Sequence, residues 1–574
     1  MPTVRLDLGD PQSHLLAVTL ELAAPRPQLR LRLPAWTPGS YLIRDYVRQL
    51  EGLEAVCGDQ PCPIRRLGPA SWQLDLAGRV GAPLLIRYRV MATDLSVRTC
   101  HLDGDHGFFT LAAVVLEVEG ERWSPHRLEI RHPRDWQAFV PLPPSGEGAW
   151  LARDFDQLID TPLELGPHRC ASFSVAGVPH RWVTWEGAAD SQDWLQRHCP
   201  TLLNDVQATA EACCRLMGVP APTSDAYLFI VHLLDEGYGG LEHDDSCVLV
   251  YGRASLQTAA GYRKFLQLVA HEYLHQWNVR RLRPAELTPI NYHQPVVVPS
   301  LWFAEGITSY FDQFLPLTAG LSSDMDLLTD LGQDLSRYLL TPGRQVQNLR
   351  ESSQEAWVKL YRADAYAGDS QVSYYLKGAV IALVLDLHLR RQGSALAVVI
   401  RQLWQQFGRW GRGYQEGDLL AAFAAEAADL ETLLPHWLQD LDDPDLAGYL
   451  ADVGLKLVSQ PSQSAWLGLT AQAEASGLLV KRVHRYGPAE QAGLAVGDEL
   501  LALDGERLRQ ADSLKDGWIP GQSRELLFCR RGRVRCSSLL AAPPEVGAWS
   551  LQQDPAAGAP ALERRRQWLS LLPV

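Results

Sequence analysis

The residues best suited to chemistry lie between Leu268 and Trp277, in a segment that contains the pattern H-E-x-x-H. If the segment is helical, His271 and His275 lie one turn apart on one face, with Glu272 beside them. Two neutral imidazoles suit zinc, and a zinc site with one open position lowers the pKa of its water. Glu272 is placed to take a proton from that water. The motif alone leaves a surface helix with two histidines as the alternative.

A third ligand is offered by the next predicted helix, which runs from Ser300 to Asp312 and contains Glu305. The alternative for Glu305 is a solvated carboxylate, but its apolar neighbours Trp302 and Phe303 argue against that, because an unpaired charge among them would be costly. Asp312 lies two turns after Glu305 on the same face, so it is a candidate to orient a ligand histidine.

These segments resemble the gluzincin metallopeptidases, through H-E-Y-L-H-Q-W-N from position 271 and W-F-A-E-G-I-T-S-Y-F from position 302. The string N-V-R-R-L-R-P-A-E-L from position 278 narrows the resemblance to the glycyl aminopeptidase family, whose members carry a C-terminal PDZ domain. The resemblance implies that His271, His275 and Glu305 bind one zinc per chain and that Glu272 is the general base. It also implies a preference for N-terminal glycine, with alanine as a second candidate.

Two further site residues follow from the resemblance. The pattern Y-x-K-G-A places Tyr375 where gluzincin aminopeptidases have a tyrosine facing the scissile carbonyl, whereas we expect Tyr374 to fill a packing gap. Gly240-Leu241-Glu242-His243 is similar to the G-x-M-E-N strand of the aminopeptidase N family, in which the glutamate receives the substrate amine. The match is partial, with Leu for Met and His for Asn. The alternative for Glu242 is a solvated surface turn.

The patterns of the surrounding segments predict a multidomain α+β protein. Residues 1–185 are predicted to form a β-sandwich-like domain, because segments 29–33 and 86–90 alternate apolar and polar residues. Residues 190–455 are predicted to form a thermolysin-like, mainly helical catalytic domain, with strands near 227–232 and 247–251. Residues 460–545 resemble a PDZ domain, and 546–574 form a C-terminal tail with a short helix.

The segment Trp36-Thr37-Pro38-Gly39-Ser40-Tyr41 continues to Asp45 and resembles one typical of the family's N-terminal domain. We predict a structural turn there, without a catalytic role.

Composition excludes several partner classes. The formal net charge of -14 argues against a nucleic acid or an anionic membrane as the main partner. The apolar run from Ala379 to Leu385 is far too short to span a membrane. Residues Met1 to Leu20 lack the basic and apolar regions of a secretory signal, and the ten cysteines are scattered, so we expect a reducing, cytoplasmic setting.

The predicted function is a zinc aminopeptidase that acts on peptides with a free N-terminus, with a peptide as candidate ligand of the PDZ-like domain. Two alternatives remain at this stage. One is a zinc endopeptidase of the same fold, which would not require a free amine. The other is a non-catalytic peptide-binding protein of the PDZ type.

Overall fold

The computed structural model of the protein describes residues 1–187, 194–475, 477–515 and 517–571. The chain folds into two compact units, each built from several segments. Unit 1 comprises Met1–Val298, Phe311–Ser322 and Ala397–Ala422, and unit 2 comprises Pro299–Tyr310, Ser323–Leu396 and Phe423–Val574.

The N-terminal part of unit 1 is β-rich, which confirms the prediction. Its first sheet has eight strands, in the spatial order Pro144–Gly146, Ala149–Ala152, His126–Arg131, Thr3–Asp7, Leu15–Ala23, Pro83–Met91, Leu50–Cys57 and Gln60–Pro61. Two four-stranded sheets follow, in the orders Gln137–Phe139, Pro162–Gly166, Gly107–Thr110, Cys100–Leu102 and Glu117–Val118, Gln28–Arg32, Ser71–Asp75, Ile64–Gly68. Strand Pro83–Met91 shows why these segments are strands, because its apolar side chains are buried at every second position while Arg87 and Arg89 are exposed.

A five-stranded sheet lies beside the helix of the H-E-x-x-H motif in unit 1. Its order is Cys170–Val175, Val178–Trp185, Tyr227–Leu234, Ser246–Gly252 and Tyr238–Glu242. The three central strands are parallel to one another, and Tyr238–Glu242 is an antiparallel strand at the edge. Glu242 is therefore the last residue of an edge strand and not part of a solvated turn.

The helix that carries the motif, Ala259–Leu274, begins at Thr258, whose hydroxyl accepts a hydrogen bond from the N–H of Gly261. Tyr273 anchors its other end to the sheet, because its hydroxyl lies 2.8 Å from Nε2 of His180 and its ring stacks on Phe229. This contact fixes which face of the helix points away from the sheet.

Helices predominate between the two β-rich parts of the chain, as predicted. The α-helices of the whole described chain are Phe155–Ile159, Trp194–His198, Leu202–Met217, Arg253–Leu256, Ala259–Leu274, Ile307–Thr318, Asp324–Leu339, Leu349–Gln354, Ala367–Ser370, Tyr374–Arg391, Leu396–Gln406, Glu416–Glu426, Leu430–Gln439, Leu446–Asp452, Pro488–Gln491, Ala511–Lys515 and Ala559–Leu569. None of the helices within the described residues is long and apolar enough to cross a membrane.

The predicted helix from Ser300 begins differently from our expectation. Its first turn, Trp302–Gly306, is π-helical and continues into the α-helix Ile307–Thr318. Ser300 contributes its carbonyl, which accepts hydrogen bonds from the N–H groups of Phe303 and Ala304. Single π-helical turns occur often at functional sites, and this one contains Glu305.

The C-terminal part of unit 2 contains a PDZ-type sheet with its own core. The strands are Leu469–Glu474, Gly477–Val483, Glu499–Leu503, Ser523–Arg530 and Arg533–Leu540, in that spatial order, with Glu506–Arg507 beside the third. The chain then returns to the helical part, because strand Val546–Gln553 pairs with Leu455–Pro461. Trp568 of the last helix is buried and donates a hydrogen bond to the hydroxyl of Tyr310. The tail is therefore an integral part of unit 2.

Candidate active site

The two histidines of the motif converge at the end of helix Ala259–Leu274. Their ring centroids are 4.6 Å apart and the rings are perpendicular. The Nδ1–H of His271 donates to Oδ2 of Asp312 at 2.8 Å, and the Nδ1–H of His275 donates to the carbonyl of Asn278 at 2.6 Å. Histidines held in this way bind a metal through Nε2. The sequence indicated Asp312 as the orienting carboxylate, but the Asn278 carbonyl depends on how the chain turns after the helix and had no sequence signal.

Glu272 lies beside these rings in a tight environment. Glu272 is only 5% exposed, and its side chain contacts Gly240 of the edge strand. A Cβ atom at Gly240 would lie 2.1 Å from Oε1 of Glu272, which is far closer than van der Waals contact allows. Gly240 is therefore required for the edge strand to approach the carboxylate of Glu272. Gly239 has open space where its Cβ would be.

The carboxylate of Glu242 lies close to Glu272 and His275 in unit 1. Glu242 is 4% exposed, and its Oε1 has no hydrogen-bond partner within the described part of the chain. Ligand atoms of Glu242, Glu272 and His275 all lie within 4.8 Å of one another. A buried carboxylate oxygen without a protein donor is suited to bind a cationic group of a ligand.

In unit 2, Glu305 and Tyr375 are brought together by two glycines. Gly306 packs directly on Gly378, so that a Cβ atom at Gly306 would lie 2.5 Å from the Cα of Gly378. This backbone contact lets the π-helical turn that holds Glu305 approach helix Tyr374–Arg391. Glu305 is 2% exposed. The sequence analysis did not identify this glycine pair, although Gly306 directly follows Glu305 and Gly378 lies three positions after Tyr375.

Tyr375 is held as a hydrogen-bond donor. Burial raises the pKa of Tyr375 well above its usual value, and the neighbouring Glu305 carboxylate raises it further, so the phenol stays protonated. Its hydroxyl lies 3.0 Å from that of Tyr361, a residue that the sequence did not indicate. Tyr374 is fully buried, and its ring stacks on that of Tyr375 with centroids 4.7 Å apart. This packing agrees with the structural role expected for Tyr374.

The donor set fits a zinc ion. Unit 1 supplies the imidazoles of His271 and His275, and unit 2 supplies the buried carboxylate of Glu305. Two imidazole nitrogens with one carboxylate oxygen form a set that zinc favours. Unit 1 also holds the buried carboxylates of Glu272 and Glu242, close to His275. A divalent cation would offset the mutual repulsion of these negative charges, which burial makes expensive.

The PDZ-type sheet has an open edge strand. Strand Leu469–Glu474 lies at the edge of its sheet, and Gly468, with a φ of +69°, turns the chain into it. The sheet is joined to the helical part of unit 2 by an ion pair between Arg482 and Asp369, with Nη2 and Oδ1 2.7 Å apart. Asp369 lies in the short helix that precedes Tyr375 in the chain.

Comparison with known proteins identifies three matching family models. Residues 3–167 match the Peptidase M61 N-terminal domain, residues 264–381 match M61 glycyl aminopeptidase, and residues 479–530 match a PDZ domain. These matches confirm the family resemblance of the three segments. No curated protein sequence matches the chain.

A solved structure from Idiomarina loihiensis, described as an aminopeptidase N family protein, resembles the whole chain. It is 30% identical, with a TM-score of 0.90, and the match covers 99% of this chain and 100% of that one. An M1 zinc metallopeptidase from Deinococcus radiodurans is 15% identical over 78% of this chain and 94% of its own, with a TM-score of 0.48. The motifs, the family models and the full-length relative together show that the chain belongs to the M61 glycyl aminopeptidase family of metallo-aminopeptidases, with a C-terminal PDZ domain.

Proposed function

We propose that this aminopeptidase binds one zinc through His271, His275 and Glu305 and removes N-terminal glycine from peptides, with alanine as the second candidate. The observation that carries the proposal is the buried Glu242 carboxylate, which lies close to Glu272 and His275. A peptidase that cuts within chains has no use for a buried acidic group at this position. An enzyme that must hold a protonated α-amine does, because a charge-assisted hydrogen bond is stronger than a neutral one.

The chemistry divides among the residues of the chain. When bound, the zinc supplies a water of lowered pKa and polarises the scissile carbonyl. Glu272 takes the proton of the attacking water and later delivers it to the leaving amine. Tyr375 donates its phenolic hydrogen to the oxygen on which negative charge develops, and Glu242 holds the substrate amine. Asp312 keeps the ring of His271 in the orientation that zinc needs.

The proposal is tested with glycyl-p-nitroanilide and its N-acetylated form. We expect acetylation to nearly abolish cleavage, because the neutral amide cannot replace the ammonium group at Glu242. Glu242→Ala should raise KM and lower kcat/KM for the free-amine substrate by about ten- to a hundredfold, the value of a hydrogen bond to a charged group. Glu236→Ala is the matched control, since Glu236 is an exposed carboxylate in the loop just before the strand that ends at Glu242.

Efficient cleavage of acetylated peptides at internal bonds, with Glu242→Ala indistinguishable from the parent, would contradict amine recognition. That result would favour the endopeptidase. A panel of aminoacyl anilides with larger first residues tests the glycine preference separately.

A further inference from the structure

We propose that Gly39, in the N-terminal β-rich domain, is a positioning residue for substrate-amine recognition. The residue lies in the turn Trp36–Tyr41, to which the sequence assigned only a structural role. The inference rests on the proposed function of Glu242, because Gly39 acts through that carboxylate. It makes the N-terminal domain a part of the active site and not only a scaffold.

The contact between Gly39 and Glu242 leaves no room for a side chain. A Cβ atom at Gly39 would lie 2.5 Å from Oε2, 2.6 Å from Oε1 and 2.7 Å from Cδ of Glu242. Both carboxylate oxygens therefore face the turn at the closest distance that a residue without a Cβ allows. Gly39 also has a φ of +79°, a left-handed conformation that glycine adopts without strain.

The turn itself is fixed, so it cannot move away from the carboxylate. Trp36 is fully buried, and its Nε1–H donates to the carbonyl of Asn291 at 2.8 Å. The N–H of Ala35 donates to the carbonyl of Tyr292 at 2.7 Å. Arg44 closes the loop, because its N–H donates to the carbonyl of Ala35 at 2.9 Å. Any atom added at position 39 therefore displaces the carboxylate of Glu242 and not the turn.

The backbone of Glu242 is fixed as well. Glu242 pairs with Cys247 in the antiparallel edge ladder, and the carbonyl of Gly240 accepts a hydrogen bond from Nη2 of Arg98 at 3.2 Å. The side chain must then absorb the whole displacement by rotating. To restore ordinary contact, the carboxylate has to move by roughly 0.5–1 Å, and a shift of about 1 Å in a positioning group can cost on the order of a hundredfold in rate.

The test compares Gly39→Ala with Gly58→Ala. Gly58 has a φ of +60° in a turn of the same domain, and a Cβ atom there would meet nothing within 4 Å. Both variants carry the strain of a left-handed alanine, but only one collides with Glu242. We expect Gly39→Ala to lower kcat/KM for glycyl-p-nitroanilide by about ten- to a hundredfold, mainly through KM, and to leave the residual rate on the acetylated substrate unchanged. Gly58→Ala should match the parent on both substrates.

A double variant separates displacement from misfolding. Glu242→Asp shortens the side chain by about 1.5 Å, one C–C bond, and removes the collision with an alanine at position 39. Gly39→Ala/Glu242→Asp should therefore be more active than the product of the two single effects predicts, whereas Gly58→Ala/Glu242→Asp should be multiplicative. The double variant also keeps the test decisive if Gly39→Ala alone yields no folded protein.

Two results would overturn the inference. One is equal behaviour of Gly39→Ala and Gly58→Ala. The other is an equal loss on the free and acetylated substrates together with multiplicative double variants, because that is what general damage to the fold would give. A separate outcome, Glu242→Ala with unchanged preference for a free amine, would refute the proposed function itself.

Discussion

Asp312→Asn is expected to weaken zinc binding while leaving the fold intact. The carboxylate accepts the Nδ1–H of His271 at 2.8 Å, which fixes the tautomer and the ring orientation. An asparagine side chain can keep the shape but loses the negative charge, and it can present its NH₂ group to the ring instead of its oxygen. Removing such an orienting carboxylate typically costs ten- to a hundredfold in metal affinity, or about 1.4–2.7 kcal/mol.

The assay is competition for zinc with a chromophoric chelator at constant pH. Asp156→Asn is the matched control, because Asp156 forms a comparable pair with Arg122, at 2.8 and 2.9 Å, in the N-terminal part of unit 1. We expect the control to bind zinc as the parent does. Equal zinc affinity of Asp312→Asn and the parent, with the control also unchanged, would refute the orienting role of Asp312.

Three further outcomes follow from the geometry. Tyr375→Phe should lower kcat for glycyl-p-nitroanilide by about a hundredfold or more at unchanged zinc content, whereas Tyr374→Phe should change kcat little. A larger loss of kcat in Tyr374→Phe would contradict this. Arg482→Ala should lower the free energy of unfolding by roughly 1–3 kcal/mol, because the buried carboxylate of Asp369 loses the guanidinium that pairs with it. An unchanged melting temperature would contradict this. Burial lowers the pKa of His180 to about 4 from an ordinary value of 6.5. The free energy of unfolding should therefore fall by up to about 3 kcal/mol as pH drops from 6.5 to 4. Chemical denaturation of His180→Gln should not show this pH dependence.

The sign of the His180 prediction follows from which state binds the proton. The neutral imidazole is the form that the fold accepts, so its stabilising effect is fully present above pH 6.5. The unfolded chain gains a proton as pH falls through 6.5, whereas the folded protein resists protonation until about pH 4.

Much of the site was predictable because helical spacing fixes which side chains share a face. His271 and His275 were expected one turn apart on one helix, and Asp312 two turns after Glu305 on the next. The structure shows a hydrogen bond between His271 and Asp312. The alternating strands of the N-terminal region were predictable for the same reason, since a period of two places every second side chain in the core.

Contacts that depend on tertiary packing were not predictable. Gly39 and Glu242 are about two hundred positions apart in unit 1, and nothing in either segment indicates that the turn of one presses on the carboxylate of the other. The π-helical turn at Trp302–Gly306 has no distinct pattern of its own, because its residues also suit an α-helix. The close contact of Gly306 with Gly378 explains why both positions lack a side chain only once the helices are seen together.

The role of Glu272 as general base is tested by the zinc content and the turnover of Glu272→Gln, measured on the same sample. We expect about one zinc per chain, as in the parent, and a loss of kcat of about 10²–10⁴-fold for glycyl-p-nitroanilide, because the amide cannot accept the proton of the water. A Gln variant that retains zinc and full activity would contradict the assignment of Glu272 as general base.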